Sequence, residues 1–201
     1  MINGFKKKYI SFILLVVFFS GLNIIISSYL PNLVYAQDTN TSISTYKNST
    51  YGITIKYPHT WSIIDSAGIE GTDIEIVSFL SPNQNDNAIV GIHQDKLVNG
   101  NSDIETYLSS TVALYKNDLH DFKFIASNTN SSLAGNKAYK LVYTYTTNDG
   151  FKMKDMEIGT IIGNKIYYVI YDGKDSVFDN YQPVVQSMVD SFKFTPTNKQ
   201  K

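Results

Sequence analysis

A chain of 201 residues with a net charge of −1 and neither arginine nor cysteine is long enough for one domain and poorly suited to nucleic acid. Without arginine it lacks the guanidinium group that pairs with phosphate through two hydrogen bonds, and without cysteine it forms no disulfides, thiolate nucleophiles or zinc–thiolate sites. An apolar fraction of 43% is enough for a packed core, and 15 tyrosines with 11 phenylalanines favour a sheet-rich fold.

Residues 1–36 have the organisation of a signal peptide. Lysines at positions 6 to 8 precede a mainly apolar run over 9–30, which ends at Pro31. Val34 and Ala36 occupy the −3 and −1 positions of a cleavage site, and the chain turns polar at Gln37. Because roughly 20 apolar residues span a bilayer, an uncleaved N-terminal membrane anchor is the alternative. Both interpretations predict export, with the domain secreted or held at the outer face of the cytoplasmic membrane.

The remainder is predicted to comprise a polar linker over 37–44, one domain over 45–195 and a polar tail over 196–201. Alternating apolar and polar residues indicate strands, and Asn148-Asp149-Gly150 and Gly163-Asn164 are typical of hairpin turns. The segment 152–157 alternates lysines on one face with Asp155 and Glu157 on the other, which indicates a solvated strand. Strands are predicted over 51–57, 74–79, 88–93, 122–127, 138–146, 151–162 and 165–171.

Two amphipathic helices are predicted. Ser102 and Glu105 form a capping box that opens a helix running to about Lys116. Near the C-terminus, Pro183 predicts a second helix that starts near Tyr181 or kinks there. Helices with one apolar stripe each, combined with many strands, indicate an α+β fold in which the helices pack on an antiparallel sheet. The two stripes consist of Ile104, Tyr107, Leu108, Thr111 and Tyr115, and of Val177, Tyr181, Val184, Met188 and Phe192.

Two separated motifs resemble the PsbP family, which is named after an extrinsic protein of the photosystem II oxygen-evolving complex. The first is Tyr51-Gly52-Ile53 followed by Tyr57-Pro58 and Trp61, and the second is Ser191-Phe192 at the end of the last helix. The order of elements also agrees over residues 45–195. The resemblance implies an α/β/α sandwich around a central antiparallel sheet. The calcium and chloride retention of the photosynthetic members is not carried over, because this chain lacks their long docking extension and has no arginine.

One candidate metal site depends on the register of the 74–79 and 88–93 hairpin. If residue 75 lies opposite residue 93, the side chains of Asp73, Glu75, His93 and Asp95 share one face and could bind a metal ion or move protons. A slip of one residue places His93 opposite Ile74 and separates the group. The sequence leaves both registers open.

A second candidate is a ligand or partner surface at His59 and Trp61, in the loop that carries the first family motif. Each residue also has a structural interpretation, His59 as an exposed loop residue and Trp61 as part of the core. Asn40, Asn48 and Asn130 begin N-x-Ser/Thr sequons and are candidate glycosylation sites. No arrangement of nucleophile, base and orienting acid can be identified, so no catalytic residue is assigned.

The sequence thus predicts a non-enzymatic, extracytoplasmic PsbP-like accessory or binding module that docks on a membrane-associated complex or envelope component. The alternative is a small-ligand or divalent-ion binding protein that uses a cleft between the sheet and the helices. No cofactor is expected, and a divalent cation would bind weakly at most. Nucleic acid is not a predicted partner, and the oligomeric state is left open.

Overall fold

The computed structural model describes residues 42–66, 73–97 and 103–195, which form one compact unit. None of the helices in these ranges is long and apolar enough to span a membrane. The signal peptide, the sequon at Asn40 and the polar tail lie outside the described residues. The elements are β1 (Ile43–Asn48), β2 (Ile53–Pro58), β3 (Ser62–Asp65), β4 (Asp73–Leu80), β5 (Ile89–Lys96), α1 (Ile104–Asp118), β6 (Lys123–Leu133), β7 (Asn136–Thr146), β8 (Lys152–Ile162), β9 (Lys165–Lys174), α2 (Phe178–Ser191) and β10 (Lys193–Phe194).

The strands form two antiparallel sheets. The large sheet has the order β3-β4-β5-β9-β8-β7-β6, and the small sheet has the order β1-β2-β10. Hairpins join β6 to β7, β7 to β8 and β8 to β9, whereas β5 pairs with β9 across a long connection that includes α1. Gly150 and Gly163 have positive φ angles of 83° and 62°, as predicted for the two hairpin turns.

The two helices cover opposite faces of the large sheet. We name these the α1 face, which carries Tyr139 and Glu157, and the α2 face, which carries Val90 and Met156. Because side chains alternate along a strand and directly opposed residues share a face, the register assigns every position of the sheet to one of them. The predicted α+β fold with an antiparallel sheet between helices is confirmed.

The main hydrophobic core lies on the α2 face. There α2 contributes Phe178, Val185 and Met188, which pack with Ile53 and Ile55 of the small sheet. The alternation predicted for 51–57 is present, since Ile53 and Ile55 are fully buried while Lys56 is exposed. The small sheet and α2 therefore cover the α2 face of the large sheet together.

Helix α1 starts one residue later than the predicted capping box places it, and α2 does not start near Tyr181. The N-cap of α1 is Asp103, whose carboxylate accepts a hydrogen bond of 3.0 Å from the Thr106 backbone N–H, so Ser102 is not the capping residue. Asp caps as well as Ser does, and the two possible caps are adjacent. Helix α2 begins at Phe178 and runs through Pro183. Burial of Phe178 against Tyr171 (ring centroids 4.3 Å apart) extends the helix one turn before the proline.

Three short strands were not predicted. Strand β1 begins inside the segment predicted as a linker, and pairs along its whole length with β2. Strand β3 has four exposed residues, and β10 has two residues that pair with Ile53 and Thr54. In β1 only Tyr46 is buried, β3 has no buried residue and β10 is two residues long, so none of the three has the apolar alternation that reveals a strand.

Candidate functional site

The hairpin of β4 and β5 has the register that the metal-site hypothesis requires. Glu75 lies opposite His93 and Asp73 lies opposite Asp95. A β-bulge between Glu75 and Val77 then shifts the register, so that Val77 lies opposite Ile92. The bulge allows Glu75 and His93 to share the α1 face while Val77 and Ile92 both enter the core on the other side.

The side chains at this position are engaged in other contacts. The Glu75 carboxylate accepts a hydrogen bond from Ser78 Oγ, and the Asp95 carboxylate accepts one of 2.6 Å from the Lys96 backbone N–H. The buried His93 ring stacks in parallel on Tyr168, with centroids 4.9 Å apart. Among the side chains that the structure describes, no group of three or more potential ligands is placed to hold a metal ion. The backbone register is therefore as the hypothesis needs, but the described side chains do not converge.

The two candidates in the first family motif occupy different environments. Trp61 is only 6% exposed and packs edge-to-face on Tyr181 of α2, with ring centroids 6.0 Å apart. Its indole is thus a core group and is not available as a surface for a ligand or partner. His59 is exposed, and its Nδ1 lies 3.1 Å from Ser44 Oγ. Of this pair, only His59 remains a candidate for surface contacts.

The sequons at Asn48 and Asn130 also differ in accessibility. The Asn48 side chain donates to Tyr46 Oη (3.0 Å) and accepts from the backbone N–H groups of Thr50 and Tyr51. Asn130 is exposed on β6. A glycan on Asn48 Nδ2 would compete with the hydrogen bond to Tyr46 Oη, so Asn130 is the more accessible acceptor of the two.

A buried cluster of carboxyl and hydroxyl groups lies on the α1 face, where the sequence indicated a solvated strand. Glu157 is 1% exposed and accepts hydrogen bonds from Tyr115 Oη of α1 (2.8 Å) and from Tyr139 Oη of β7. Asp155, two residues before Glu157 on β8, accepts a hydrogen bond of 2.8 Å from Tyr143 Oη of the opposite residue on β7. Asp155 and Glu157 share one face as predicted, but the prediction of a solvated strand is wrong, because α1 and the tyrosines of β7 cover that face.

Burial changes the protonation of this cluster. It raises the pKa of Asp155 well above its usual value, and the neighbouring charge of Asp172 raises it further. Burial also raises the pKa of Asp172 to about 6. Desolvation likewise raises the pKa of the Tyr139 and Tyr143 hydroxyls, so both remain protonated donors.

Among the described strands, β6 forms one edge of the large sheet, and it exposes apolar side chains. Phe124 and Ile125 are each 50% exposed, and no charged residue occurs over 124–136. A bulge between Phe124 and Ala126 leaves Ile125 without an opposed residue on β7. Phe151, which is 49% exposed, precedes β8 at the same end of the sheet. The other edge strand, β3, is short and ends at Asp65.

An open cleft of about 410 Å³ separates the start of α1 from strands β7 and β8. Its charged groups already have partners, because Glu105 forms an ion pair of 2.8 Å with Lys137. Hydrogen bonds from the side chain and backbone of Thr106 lower the pKa of Asp103 to about 2. The lining residues are Asp103, Ile104, Glu105, Asn136, Lys137, Thr160 and Ile161.

The family model of PsbP-like proteins matches residues 10–194, and the chain therefore belongs to the PsbP-like family. This confirms the resemblance inferred from the motifs at 51–61 and 191–192. No curated protein matches the chain significantly in sequence.

Solved structures with the same fold come from several organisms. Cyanobacterial PsbP (CyanoP) from Synechocystis sp. PCC 6803 is 17% identical, with a TM-score of 0.56 over 77% of this chain and 93% of the other. The yeast (Saccharomyces cerevisiae) Ran-binding protein Mog1p is 11% identical, with a TM-score of 0.52 over 78% and 97%. LpqN, involved in cell envelope biogenesis of Mycobacterium tuberculosis, is 13% identical, with a TM-score of 0.51 over 80% and 88%.

Proposed function

We propose that this protein is an extracytoplasmic accessory module that docks on a protein of a membrane-associated complex and carries out no catalysis. Membership of the PsbP-like family supports an accessory role. The fold is compatible with protein binding, since a Ran-binding protein has it. The signal-peptide pattern of residues 1–36 supports a location outside the cytoplasm.

The observation that carries this proposal is that β6, an edge strand among the described residues, has no charge beyond Lys123 and exposes Phe124 and Ile125. Exposed edges are usually protected by charges, proline or coverage, because their unpaired backbone groups can bind another chain. Beyond Lys123, β6 has neither charge nor proline, although its two bulges limit indiscriminate pairing. A partner that fits this edge presents an apolar, uncharged surface, and an extended segment of it would add backbone hydrogen bonds.

Two variants with matched exposure test this surface. Ile125→Lys places a charge on the β6 edge, and Ile64→Lys places one on the β3 edge, where Ile64 is 46% exposed. A photo-crosslinker at position 125 of the full chain should capture a distinct membrane protein, and one at position 64 should not. In pull-downs from solubilised membranes, Ile125→Lys should recover at least about tenfold less of that protein, a loss of roughly 1.4 kcal/mol in binding. Equal recovery by both lysine variants, or crosslinks that do not depend on position, would refute docking at β6.

The alternative of a small-ligand or divalent-ion binder would use the cleft at the start of α1. We favour docking because the cleft's Glu105 and Lys137 neutralise each other and Asp103 caps the helix. A ligand there would have to displace these contacts. Calorimetric binding of a small ligand or divalent ion that is abolished by Glu105→Gln would instead support the alternative.

A further inference from the structure

Asp155 and Asp172 form a buried pair of carboxyl groups. They lie directly opposite each other on β8 and β9, so their side chains share the α1 face, and directly opposed residues have Cβ atoms about 4.5–5.5 Å apart. Asp155 is 4% exposed and Asp172 is 5% exposed. Two ionised carboxylates this close and this buried would repel each other in a medium that screens poorly.

The hydrogen bonds of the pair are incomplete unless a proton is present. Tyr143 Oη donates to Asp155 Oδ2, but Oδ1 of Asp155 and Oδ1 of Asp172 have no donor among the described residues. A buried carboxylate oxygen without a donor is costly. A single proton on one carboxyl group, donated to the other, gives both groups a partner without any further side chain.

Among the described residues, no cation compensates the pair. Lys174 follows Asp172 on the same face, but its Nζ donates to the Asn85 backbone oxygen (2.6 Å) and lies 4.9 Å from the centroid of the Phe151 ring. The residue opposite Asp172 on its other side is the uncharged Ile89 of β5. The titratable groups that face the pair from the surrounding elements are Tyr115 of α1, Tyr143 and Tyr145 of β7, Glu157 of β8, Lys174 of β9, and His93 and Asp95 further along β5.

We infer that Asp155 and Asp172 constitute a proton-binding pair that retains one shared proton in the folded protein at neutral pH and takes up a second on acidification. Folding is then coupled to proton uptake, because both carboxyl groups are ionised in the unfolded chain at neutral pH. The contribution of the pair to the stability of the domain therefore grows as the surroundings become more acidic, and this property is separate from the docking proposed for β6.

The raised pKa values fix the direction of the effect. Each group has a folded-state pKa above the ordinary value of 3.8, so its contribution is fully present below that value and is lost as the pH rises through the folded-state pKa. For Asp172 the loss falls between about pH 4 and pH 6. For Asp155, which holds the shared proton in this inference, the loss of stability continues above neutral pH.

The Asp155→Asn variant mimics the protonated acid and tests the inference. Its amide group can donate to Asp172 and accept from Tyr143, as the shared-proton state does. Between pH 7 and pH 8 the unfolding constant of the wild type should rise about tenfold relative to that of Asp155→Asn, the slope of one bound proton. The unfolding constant of the wild type should rise by the same factor relative to that of Asp172→Asn. Asp149→Asn, in the exposed β7–β8 turn, should show the pH dependence of the wild type.

The measurement is the free energy of unfolding in urea across pH 5 to 8 for the four full-length proteins. A ratio of unfolding constants that does not change with pH would overturn the inference. If both buried variants fail to fold, carbon-13 NMR of the assigned aspartate carboxyl carbons in the wild type decides the question. A protonated carboxyl at position 155 or 172 at pH 7 supports the shared proton, and two ionised carboxylates refute it.

Discussion

The hydroxyl of Ser191, the last residue of α2, accepts a hydrogen bond of 2.8 Å from the backbone N–H of Lys56 on β2. The same hydroxyl donates to the Met188 backbone oxygen at 2.7 Å. Strand β10 pairs only with Ile53 and Thr54, so the N–H of Lys56 has no strand partner on that side. The Ser191 hydroxyl therefore accepts the hydrogen bond that a strand residue would otherwise accept, and it connects the second family motif with the first.

Ser191→Ala should lower the free energy of unfolding by about 1 kcal/mol, because it removes the acceptor of the Lys56 N–H. Ser187→Ala is the matched control, since Ser187 lies on the same helix and donates only to the Pro183 backbone oxygen. Urea unfolding of the two variants should show a loss for Ser191 and almost none for Ser187. Equal losses of stability in the two variants would mean that the serine hydroxyl stabilises only its own helix and not the contact with β2.

Gly159→Ala should destabilise the protein by about 1–3 kcal/mol, as expected when a core position is overpacked. A Cβ at residue 159 would stand 2.6 Å from Tyr139 Cε1, because the Tyr139 ring crosses this position to reach Glu157. Chemical denaturation measures the loss. Combining Gly159→Ala with Tyr139→Ala should cost less than the sum of the single changes, because the clash disappears with the ring. Additive losses would contradict the proposed clash.

Trp61→Ala should cost about 3–5 kcal/mol, a large part of the stability of a domain this size. The ring is buried against Tyr181, and no disulfide is available to offset the loss. Thermal unfolding monitored by circular dichroism should show a strongly lowered midpoint. His59→Ala, two residues away and exposed, should melt like the wild type. A Trp61→Ala protein with unchanged melting would instead place the indole at a binding surface.

The strands and helices of this fold could be predicted because their patterns are local. Alternation identified the long strands, and the turn glycines Gly150 and Gly163 separated them as expected. Strand β3 could not be predicted, because its four exposed residues leave no apolar alternation. Strand β10 could not be predicted, because it has only two residues and pairs with a strand far earlier in the chain. Patterns also indicated which residues of β4 alternate, but not the bulge that sets Glu75 opposite His93.

The buried acids show where sequence reasoning reaches its limit. Alternation correctly placed Asp155 and Glu157 on one face, but it gave no information on what covers that face. The hydroxyl of Tyr115, which binds Glu157, comes from a helix of which the sequence predicted only the apolar stripe. A tyrosine in an apolar stripe opposite alternating carboxylates is the signal that could have indicated the cluster.

Calcium should bind weakly, with a dissociation constant on the order of millimolar, because a tight site needs about six to eight converging oxygens. In the described parts of the chain, the nearest candidates on β4 and β5 are already hydrogen-bonded, Glu75 to Ser78 and Asp95 to Lys96. Isothermal titration calorimetry of the metal-free protein measures the affinity. A micromolar, one-to-one isotherm that disappears in Glu75→Gln would contradict this prediction and restore the metal site at this hairpin.

The buried tyrosines should resist ionisation until the protein unfolds in alkali. Burial raises the pKa of Tyr46 to about 12, and desolvation with nearby carboxylates raises the pKa of Tyr139, Tyr143 and Tyr145 further. Because these folded-state pKa values exceed the unfolded value of about 10, the stability they contribute is complete below pH 10 and is lost as the pH rises through them. In an ultraviolet titration near pH 11, the native protein should therefore form less tyrosinate than the protein in urea. The remaining tyrosinate should appear together with the loss of circular dichroism. Full ionisation of all 15 tyrosines near pH 10 in a still-folded protein would show that the hydroxyls of the α1 face are open to water.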